Sequence, residues 1–91
     1  MAIFAIIKQP SPDPTRLEAV IKAKFPTGHY ALSDSAWLIA ARGTAVEVSA
    51  QLGLGPTPEL TAVVIEVGSY YGRANPAIWT WIKTNWEASS G

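Results

Sequence analysis

The sequence predicts an α+β fold in which strands and helices alternate as βαββαβ and one further helix follows. Three observations carry this prediction. Four short runs are rich in apolar and β-branched residues, as strands are. Helix-start signals stand before three segments with helical periodicity. Stretches rich in proline or glycine separate these elements and mark their approximate bounds.

Residues 2–7, AIFAII, form the first predicted strand, and they are apolar throughout. Because successive side chains of a strand point to opposite faces, Phe4 and Ile6 share one face and Ile3, Ala5 and Ile7 share the other. A strand with two apolar faces is typical of the centre of a covered sheet. The run is too short to cross a bilayer and lacks the flanking pattern of a signal peptide, so we expect no membrane association.

Asp13 and Pro14 predict the start of the first helix, since aspartate is a preferred N-cap and proline suits the first helical position. The apolar stripe that follows has spacings of three and four residues. Its members are Leu17, Val20, Ile21 and Phe25. The sequence Phe25-Pro26-Thr27-Gly28 predicts the end of the helix.

A hairpin is predicted next, from residues 29–32 and 36–41. The intervening Ser33-Asp34-Ser35 favours a turn, because these side chains form local hydrogen bonds with the backbone. The second run, AWLIAA, is again apolar on both faces. It therefore predicts a second central strand.

The second helix is predicted to begin at about residue 45. Thr44 and Glu47 have the spacing of a capping box, in which each side chain accepts a hydrogen bond from the other residue's backbone amide. Ala45, Val48 and Leu52 form the buried stripe. Gly53 followed by Leu54 predicts a Schellman end.

The fourth strand is predicted over residues 60–67, after a stiff linker at Gly55 to Pro58. Asn75 and Pro76 then repeat the N-cap and first-position signature and start the third helix. On a helical projection, Ile78, Ile82, Trp79 and Trp86 form one apolar arc. We expect Trp79 and Trp86 to be the buried lid of a sheet face, with Trp81 at the edge of the arc.

This order of elements is the ferredoxin-like split βαβ arrangement, with an additional C-terminal helix. In that fold the first and third strands are central, and these are the two runs with two apolar faces. Both crossover helices lie on one sheet face, so we expect the face of Phe4 and Ile6 to need cover from the last helix or a second subunit. One domain is predicted over residues 1–87, with a flexible tail at 88–91.

Composition narrows the function classes. The 91 residues carry no net charge, which gives no support for the broad basic surface of a nucleic-acid binder. The chain has no cysteine, so disulfides and thiolate metal sites are excluded, and a cytoplasmic location is expected. No spacing of histidines or carboxylates indicates a metal site, and no glycine-rich motif indicates a nucleotide, so no cofactor is predicted.

Few residues are candidates for a functional site. Tyr70, Tyr71 and Arg73 stand on a loop after a strand, where binding residues are often displayed. Trp81 is a further binding candidate, because an indole at the edge of an apolar arc suits an interface or a ligand rim. His29 is the only histidine and could act as a general base, but no catalytic residue is predicted, since no nucleophile and base pattern is recognisable.

The run Ser35-Ala36-Trp37-Leu38-Ile39, with Thr44-Ala45 opening a short helix and a late apolar strand, resembles a group of small ferredoxin-like proteins. These proteins are distantly related to the small CRISPR-associated nuclease subunit and to VapD-type ribonucleases. The resemblance implies a homodimer. Members of that group with proposed nuclease activity carry an aspartate at the end of the first strand, where paired subunits could hold a divalent metal. This chain has Lys8 and Gln9 at that position, which argues against metal-dependent phosphodiester cleavage.

Three functional hypotheses follow. The leading one is a homodimeric, non-enzymatic binding or regulatory module. The first alternative is a nuclease or RNA-binding protein of the kind that the resemblance implies. The second alternative is a small-ligand enzyme that uses His29 and the tyrosine loop.

Overall fold

The computed structural model describes residues 2–10, 15–54 and 60–90, with side chains described as far as Trp86. Four strands form one antiparallel sheet, and three helices cover its two faces. Along the chain the elements are β1 (Ala2–Lys8), α1 (Arg16–Lys24), β2 (His29–Ser33), β3 (Ala36–Ala41), α2 (Ala45–Gln51), β4 (Ala62–Glu66) and α3 (Pro76–Ser90).

The strand order in the sheet is β2-β3-β1-β4, which is that of the ferredoxin-like split βαβ fold. β1 pairs with β3 and with β4, and β2 pairs with β3, all antiparallel. The predicted α+β class and the two central strands are confirmed. The register of β2 on β3 shifts between Ala31 and Ser33, which is a bulge in that edge strand.

One face of the sheet, which we call the crossover face, carries α1 and α2. Its core joins apolar side chains from both helices to side chains from the strands. The buried members are Phe4, Ile6, Leu17, Ile21, Trp37, Ile39, Ala41, Val48, Leu52 and Leu60. The predicted stripes of both helices therefore face this core.

The opposite face, which we call the α3 face, has a smaller core. Ile3, Leu38 and Ile82 are its buried residues. Half-buried side chains pack around them, and most are aromatic. They are Ala5, Tyr30, Val67, Ile78, Trp79, Trp81 and Trp86.

Phe4 and Ile6 were predicted to lie on the sheet face away from the two crossover helices, and this prediction was wrong. Both lie on the crossover face, under α1 and α2, and the last helix instead covers the face of Ile3. Alternation along a strand tells which side chains share a face but not which face receives the crossover helices. The prediction that the last helix covers the second face is confirmed.

Local signals set the helix ends where the structure describes them. Thr44 and Glu47 form the predicted capping box, with Glu47 N donating to Thr44 Oγ1 at 3.2 Å and Thr44 N donating to Glu47 Oε1 at 3.2 Å. The end of α2 is a Schellman motif, because Leu54 N donates to the Ser49 carbonyl and Gly53 N to the Ala50 carbonyl. Gly53 has φ +76°, a conformation that glycine adopts without strain.

The two helices that were predicted to start with a proline, α1 and α3, begin differently. Asn75 caps α3 as predicted, since Ala77 N donates to Asn75 Oδ1 at 2.9 Å. α1 begins at Arg16 rather than at Pro14, and its N-cap residue Thr15 makes no side-chain capping hydrogen bond. The predicted cap, Asp13, lies outside the described residues. α3 extends through Ser90, into the segment predicted to be a tail.

The tryptophans of α3 are less buried than predicted. The residue of α3 that is buried is Ile82, and Trp79, Trp81 and Trp86 are all half-buried. The three indoles pack around the buried Ile3, Leu38 and Ile82, and each keeps part of its surface exposed. The prediction of a buried lid at Trp79 and Trp86 was therefore wrong in degree.

Large apolar side chains that are exposed fall into two groups in the part of the chain that the structure describes. Leu32, Tyr70 and Tyr71 lie on the α3 face, whereas Val46, Val63 and Ile65 lie at β4 and α2. Scattered apolar residues are ordinary on a protein surface, but contiguous groups often mark binding surfaces.

Candidate functional site

The first exposed group lies beside the connector that joins β4 to α3, residues 67–75. Val67 N donates to the Ile3 carbonyl at 2.8 Å, which ties the start of this connector to the central strand. The Asn75 cap fixes its other end. The connector is thus held at both ends, and its side chains are displayed against α3.

Tyr70 anchors the connector on α3 through two tryptophans. Its ring stacks on Trp79, with centroids 6.1 Å apart and an angle of 20° between the planes. It meets Trp86 edge-on, with centroids 5.3 Å apart. These geometries are favourable for aromatic pairs, and they arrange three rings side by side at the surface.

Gly72 allows the connector to turn beside Trp79. Its φ is +151°, which side chains with a Cβ rarely adopt. A Cβ built at this position would lie 3.7 Å from the Trp79 ring, so there is room for one, and the backbone conformation is what favours glycine. The turn leaves Tyr71 fully exposed.

An apolar depression, which we call the aromatic groove, runs between the connector, α3 and the sheet. Its volume is about 340 Å³, and a further pocket of about 230 Å³ adjoins it at Tyr70, Tyr71, Gly72 and Trp79. The groove is lined by Ile3, Leu32, Leu38, Val67, Tyr70, Tyr71, Gly72, Arg73, Ala74, Ile78, Trp79 and Ile82. Its size lies within the range of small-molecule sites, which is about 300–1,000 Å³.

Arg73 is the charged group of this lining. Its side chain is exposed, and it makes no ion pair with any carboxylate among the residues whose side chains are described. A guanidinium at the rim of an apolar groove can form charge-assisted hydrogen bonds with an anionic group.

The structure thus brings together three of the predicted site residues, Tyr70, Tyr71 and Arg73. Trp81 lies on the other flank of α3, where its ring is 5.9 Å from that of Tyr30 at an angle of 50°. A shallow depression of about 480 Å³ surrounds this pair, lined by Thr80, Thr84 and Asn85 among others. Trp81 is therefore not part of the aromatic groove.

His29 is also separate from the groove. Its register partner on β3 is Ile39, which belongs to the core of the crossover face. The ring Nδ1 donates a hydrogen bond to the carbonyl oxygen of Phe25, at the end of α1. His29 and the tyrosine loop consequently lie on opposite sides of the sheet.

Sequence reasoning missed the other residues that line the groove, and two of them, Trp79 and Leu32, are large side chains on its walls. Trp79 was predicted to belong to the core, and Leu32 was treated only as part of a strand. The alternation of Tyr30 and Leu32 along β2 was the available signal, since both point to the α3 face. That signal becomes informative only when the α3 face is known to be partly open.

Within the described ranges the structure shows neither a cluster of metal-ligating side chains nor a helix that could span a membrane. No three His, Asp or Glu side chains of residues 2–10, 15–54 and 60–86 are grouped as a metal site would require. None of the helices in the described part combines the length and apolarity needed to cross a membrane.

Comparison with known proteins gives no family for this chain. No family model matches it, and no match was found among curated proteins or among solved structures. The resemblance to small CRISPR-associated and VapD-type proteins therefore stays a prediction.

Proposed function

We propose that this protein is a small, non-enzymatic binding module and that its binding site is the aromatic groove. The ligand class that fits is a flat, largely apolar molecule with one anionic group. The observation that carries the proposal is the groove itself, in which three predicted binding residues meet an apolar floor.

The floor and walls support an apolar ligand. Ile3, Leu38 and Ile82 lie at the base and are almost fully buried, so they form a firm surface for apolar contact. Tyr70 and Trp79 present ring faces beside it. Flat molecules gain both burial of apolar area and stacking at such a site.

Arg73 supports the anionic group. A guanidinium without an internal carboxylate partner loses little on pairing with a ligand, and a hydrogen bond to a charged group contributes about 1.5–3 kcal/mol. Tyr71 is fully exposed next to it and is free to close over a bound molecule. Together the two residues distinguish an anionic ligand from a neutral one of the same shape.

Catalysis is not part of the proposal. A small-ligand enzyme that used His29 together with the tyrosine loop would need them on one side of the sheet, and they lie on opposite sides. A base must be within hydrogen-bonding reach of the atom it deprotonates, or reach it through one water.

Fluorescence titration with anilinonaphthalene sulfonate, an apolar aromatic anion that carries a flat naphthalene ring, tests the proposal. We expect saturable binding of one probe per chain, weakened about tenfold in Arg73→Gln, as the loss of one charged hydrogen bond requires. Trp79→Leu should abolish saturation.

Trp81→Leu is the matched control, because it also shortens a half-buried indole of α3 but lies outside the groove. Far-UV circular dichroism of each variant establishes that the fold is retained. Equal weakening by Trp79→Leu and Trp81→Leu, or no saturable binding by the wild type, would contradict the proposal.

A second candidate, RNA binding at the same groove, is favoured by one observation. Tyr71 is fully exposed beside Arg73, and an exposed ring next to a cation is what single-stranded nucleic acids use for base stacking and phosphate contact. Titration with a short oligonucleotide at several salt concentrations separates the candidates. Affinity that falls steeply as salt rises, and that requires Tyr71, would favour RNA.

A further inference from the structure

The depression around Trp81, which we call the Trp81 groove, lies between α3 and the edge strand β2. Its volume is about 480 Å³, and its described lining residues are Tyr30, Ala77, Thr80, Trp81, Thr84 and Asn85. Ala77, Trp81 and Asn85 recur at four-residue intervals on α3, so the groove follows one side of the helix. At a rise of about 1.5 Å per residue, the helix runs about 12 Å from Ala77 to Asn85.

Two aromatic rings form the apolar part of the Trp81 groove. The ring centroids of Tyr30 and Trp81 are 5.9 Å apart, and the ring planes are tilted by 50°. Both side chains pack against the buried core of the α3 face, which holds them in place. Two rings set at this angle present a bent apolar surface. Such a surface suits a compact, puckered ring better than a long flat molecule.

Hydrogen-bond donors without partners border these rings. The indole N–H of Trp81 and the hydroxyls of Tyr30 and Thr84 make no hydrogen bond with any residue that the structure describes. Asn85 Nδ2 donates to the Trp81 carbonyl at 2.9 Å, which uses one of its two amide hydrogens. The groove therefore offers several donors to a ligand that carries acceptors.

The charge of the groove is confined to one side. None of its described lining residues is ionised at neutral pH. Lys83 stands next to Thr84 on α3, is exposed, and makes no ion pair with a described carboxylate. A neutral groove with a cation beside it is complementary to a neutral ligand that carries a carboxylate at one end.

We propose that the Trp81 groove binds a proline-rich segment of a partner protein, in the polyproline II conformation, with an acidic residue beside the prolines. Proline has no backbone N–H, so such a segment presents carbonyl acceptors and no amide donors from its prolines. This matches a groove whose free polar groups include several donors. The proposal is independent of the aromatic groove, since Trp81 lies outside it.

The length of the groove and the stiffness of the ligand also fit. Polyproline II advances about 3.1 Å per residue, so about four residues span the 12 Å of α3 that line the groove. The segment holds this conformation before it binds, which reduces the entropy that it loses on binding. Grooves lined by aromatic side chains recognise proline-rich segments in several unrelated domains.

A neutral sugar is the nearest rival ligand, because ring faces and hydroxyls also suit a pyranose. The lining favours proline, since its surface is mostly apolar and a sugar brings many hydroxyls. Each hydroxyl that is buried without a partner opposes binding. The two ligands can be compared directly in the same assay.

NMR titration of the wild type with a hexaproline peptide tests the proposal without any substitution. The chain has four tryptophans, whose indole N–H signals report separately on their surroundings. We expect a saturable shift of the Trp81 signal and little change at Trp79. A peptide of alternating alanine and glycine, which offers carbonyls but no rings, should not bind. No saturable binding of hexaproline, a larger shift at Trp79, or binding of methyl glucoside in preference to hexaproline overturns the proposal.

Isothermal titration calorimetry of variants tests the contacts. Trp81→Leu should weaken hexaproline binding about tenfold, as the loss of aromatic packing requires, and Trp81→Phe should weaken it about fivefold, since one hydrogen bond is lost. Trp79→Leu is the matched control, because it shortens another half-buried indole of α3 and should leave the affinity for hexaproline unchanged. Equal weakening by the two leucine variants, with far-UV circular dichroism showing both folded, overturns the site.

A second peptide, hexaproline with an aspartate at each end, tests the acidic flank. It should bind the wild type about threefold more tightly than hexaproline, as an exposed ion pair permits, and Lys83→Gln should remove this advantage. Lys24→Gln is the matched control, since Lys24 is an exposed lysine on α1, away from the groove. An advantage that survives Lys83→Gln, or no advantage in the wild type, overturns the acidic flank.

Discussion

The two faces of the sheet differ in how completely they are covered. On the crossover face α1 and α2 enclose large side chains such as Trp37 and Phe4, with 2% and 0% of their surfaces exposed. On the α3 face a single helix rests on Ile3 and Leu38 through its own Ile82, and the indoles of α3 are only partly buried. The closed face therefore buries more of the large side chains that stabilise the fold, whereas the open face keeps apolar surface exposed.

Trp37→Ala should have the largest effect. The side chain is buried at the centre of the crossover face, so its removal leaves a cavity, and buried aromatic residues cost about 3–5 kcal/mol on truncation. Trp81→Ala on the open face should cost less, because that indole is only partly buried. The free energy of unfolding in urea, measured at one fixed protein concentration, checks the difference. Equal losses of unfolding free energy in Trp37→Ala and Trp81→Ala would contradict the difference between the two faces.

Ile82→Ala should have the next largest effect. It removes the buried contact of α3, and we expect a loss of about 2 kcal/mol, the lower end for such changes, because the half-exposed neighbours can close over the gap. Near-UV circular dichroism should report the loss of the Tyr70 and Trp79 stacking as α3 loosens. A loss as large as that of Trp37→Ala would show that the α3 face is not the less stabilising one.

The two helix caps provide a sharper local test. Thr44→Ala and Asn75→Ala each remove a side-chain cap and should each cost about 1 kcal/mol. Hydrogen exchange should distinguish them, since loosening of α3 leaves the crossover face protected. Exchange that rises across α1 in Asn75→Ala would mean that the two faces open together.

The smallest effect is expected at the outer surface of α1. Lys22 Nζ is 2.8 Å from Glu18 Oε1, and both side chains are exposed. The hydrogen bond from Lys22, and then its charge, hold the pKa of Glu18 below its ordinary value. Because the pKa is lower in the folded state, the contribution to stability is present above the unfolded value, about 4.3, and is lost as the pH falls through the folded value.

Lys22→Met should therefore raise the pKa of Glu18, as measured by NMR titration of its carboxyl group. Stability at neutral pH should scarcely change, since exposed pairs of this kind contribute little. An unchanged Glu18 titration would show that the pair does not form in solution.

Local chemistry explains what the sequence could predict about the fold. The capping box at Thr44, the Asn75 cap and the Schellman end at Gly53 involve residues close together in the chain, so each could be recognised directly. The α+β class followed from their order. The face of Phe4 and Ile6 could not be predicted, because it depends on which way the chain crosses over the sheet.

In the candidate site, too, residues close together in sequence could be predicted and residues distant in sequence could not. Tyr70, Tyr71 and Arg73 are near neighbours on one connector, and their position after a strand was enough to single them out. Leu32 and Trp79 reach the groove from elements distant in sequence, and their roles depend on how α3 lies on the sheet. Trp79 was predicted to be core because helical periodicity gives the direction of a side chain but not the width of the surface that receives it.

The bulge between Ala31 and Ser33 has a consequence for growth of the sheet. A sheet with two regular edges can add copies at both sides without limit, which leads to fibres. Here the bulge interrupts the regular ladder of β2, so β2 is a poor template for a further strand, whereas β4 is an edge strand with a regular register. A substitution that straightened β2 would therefore give the sheet two regular edges and raise its tendency to form fibres.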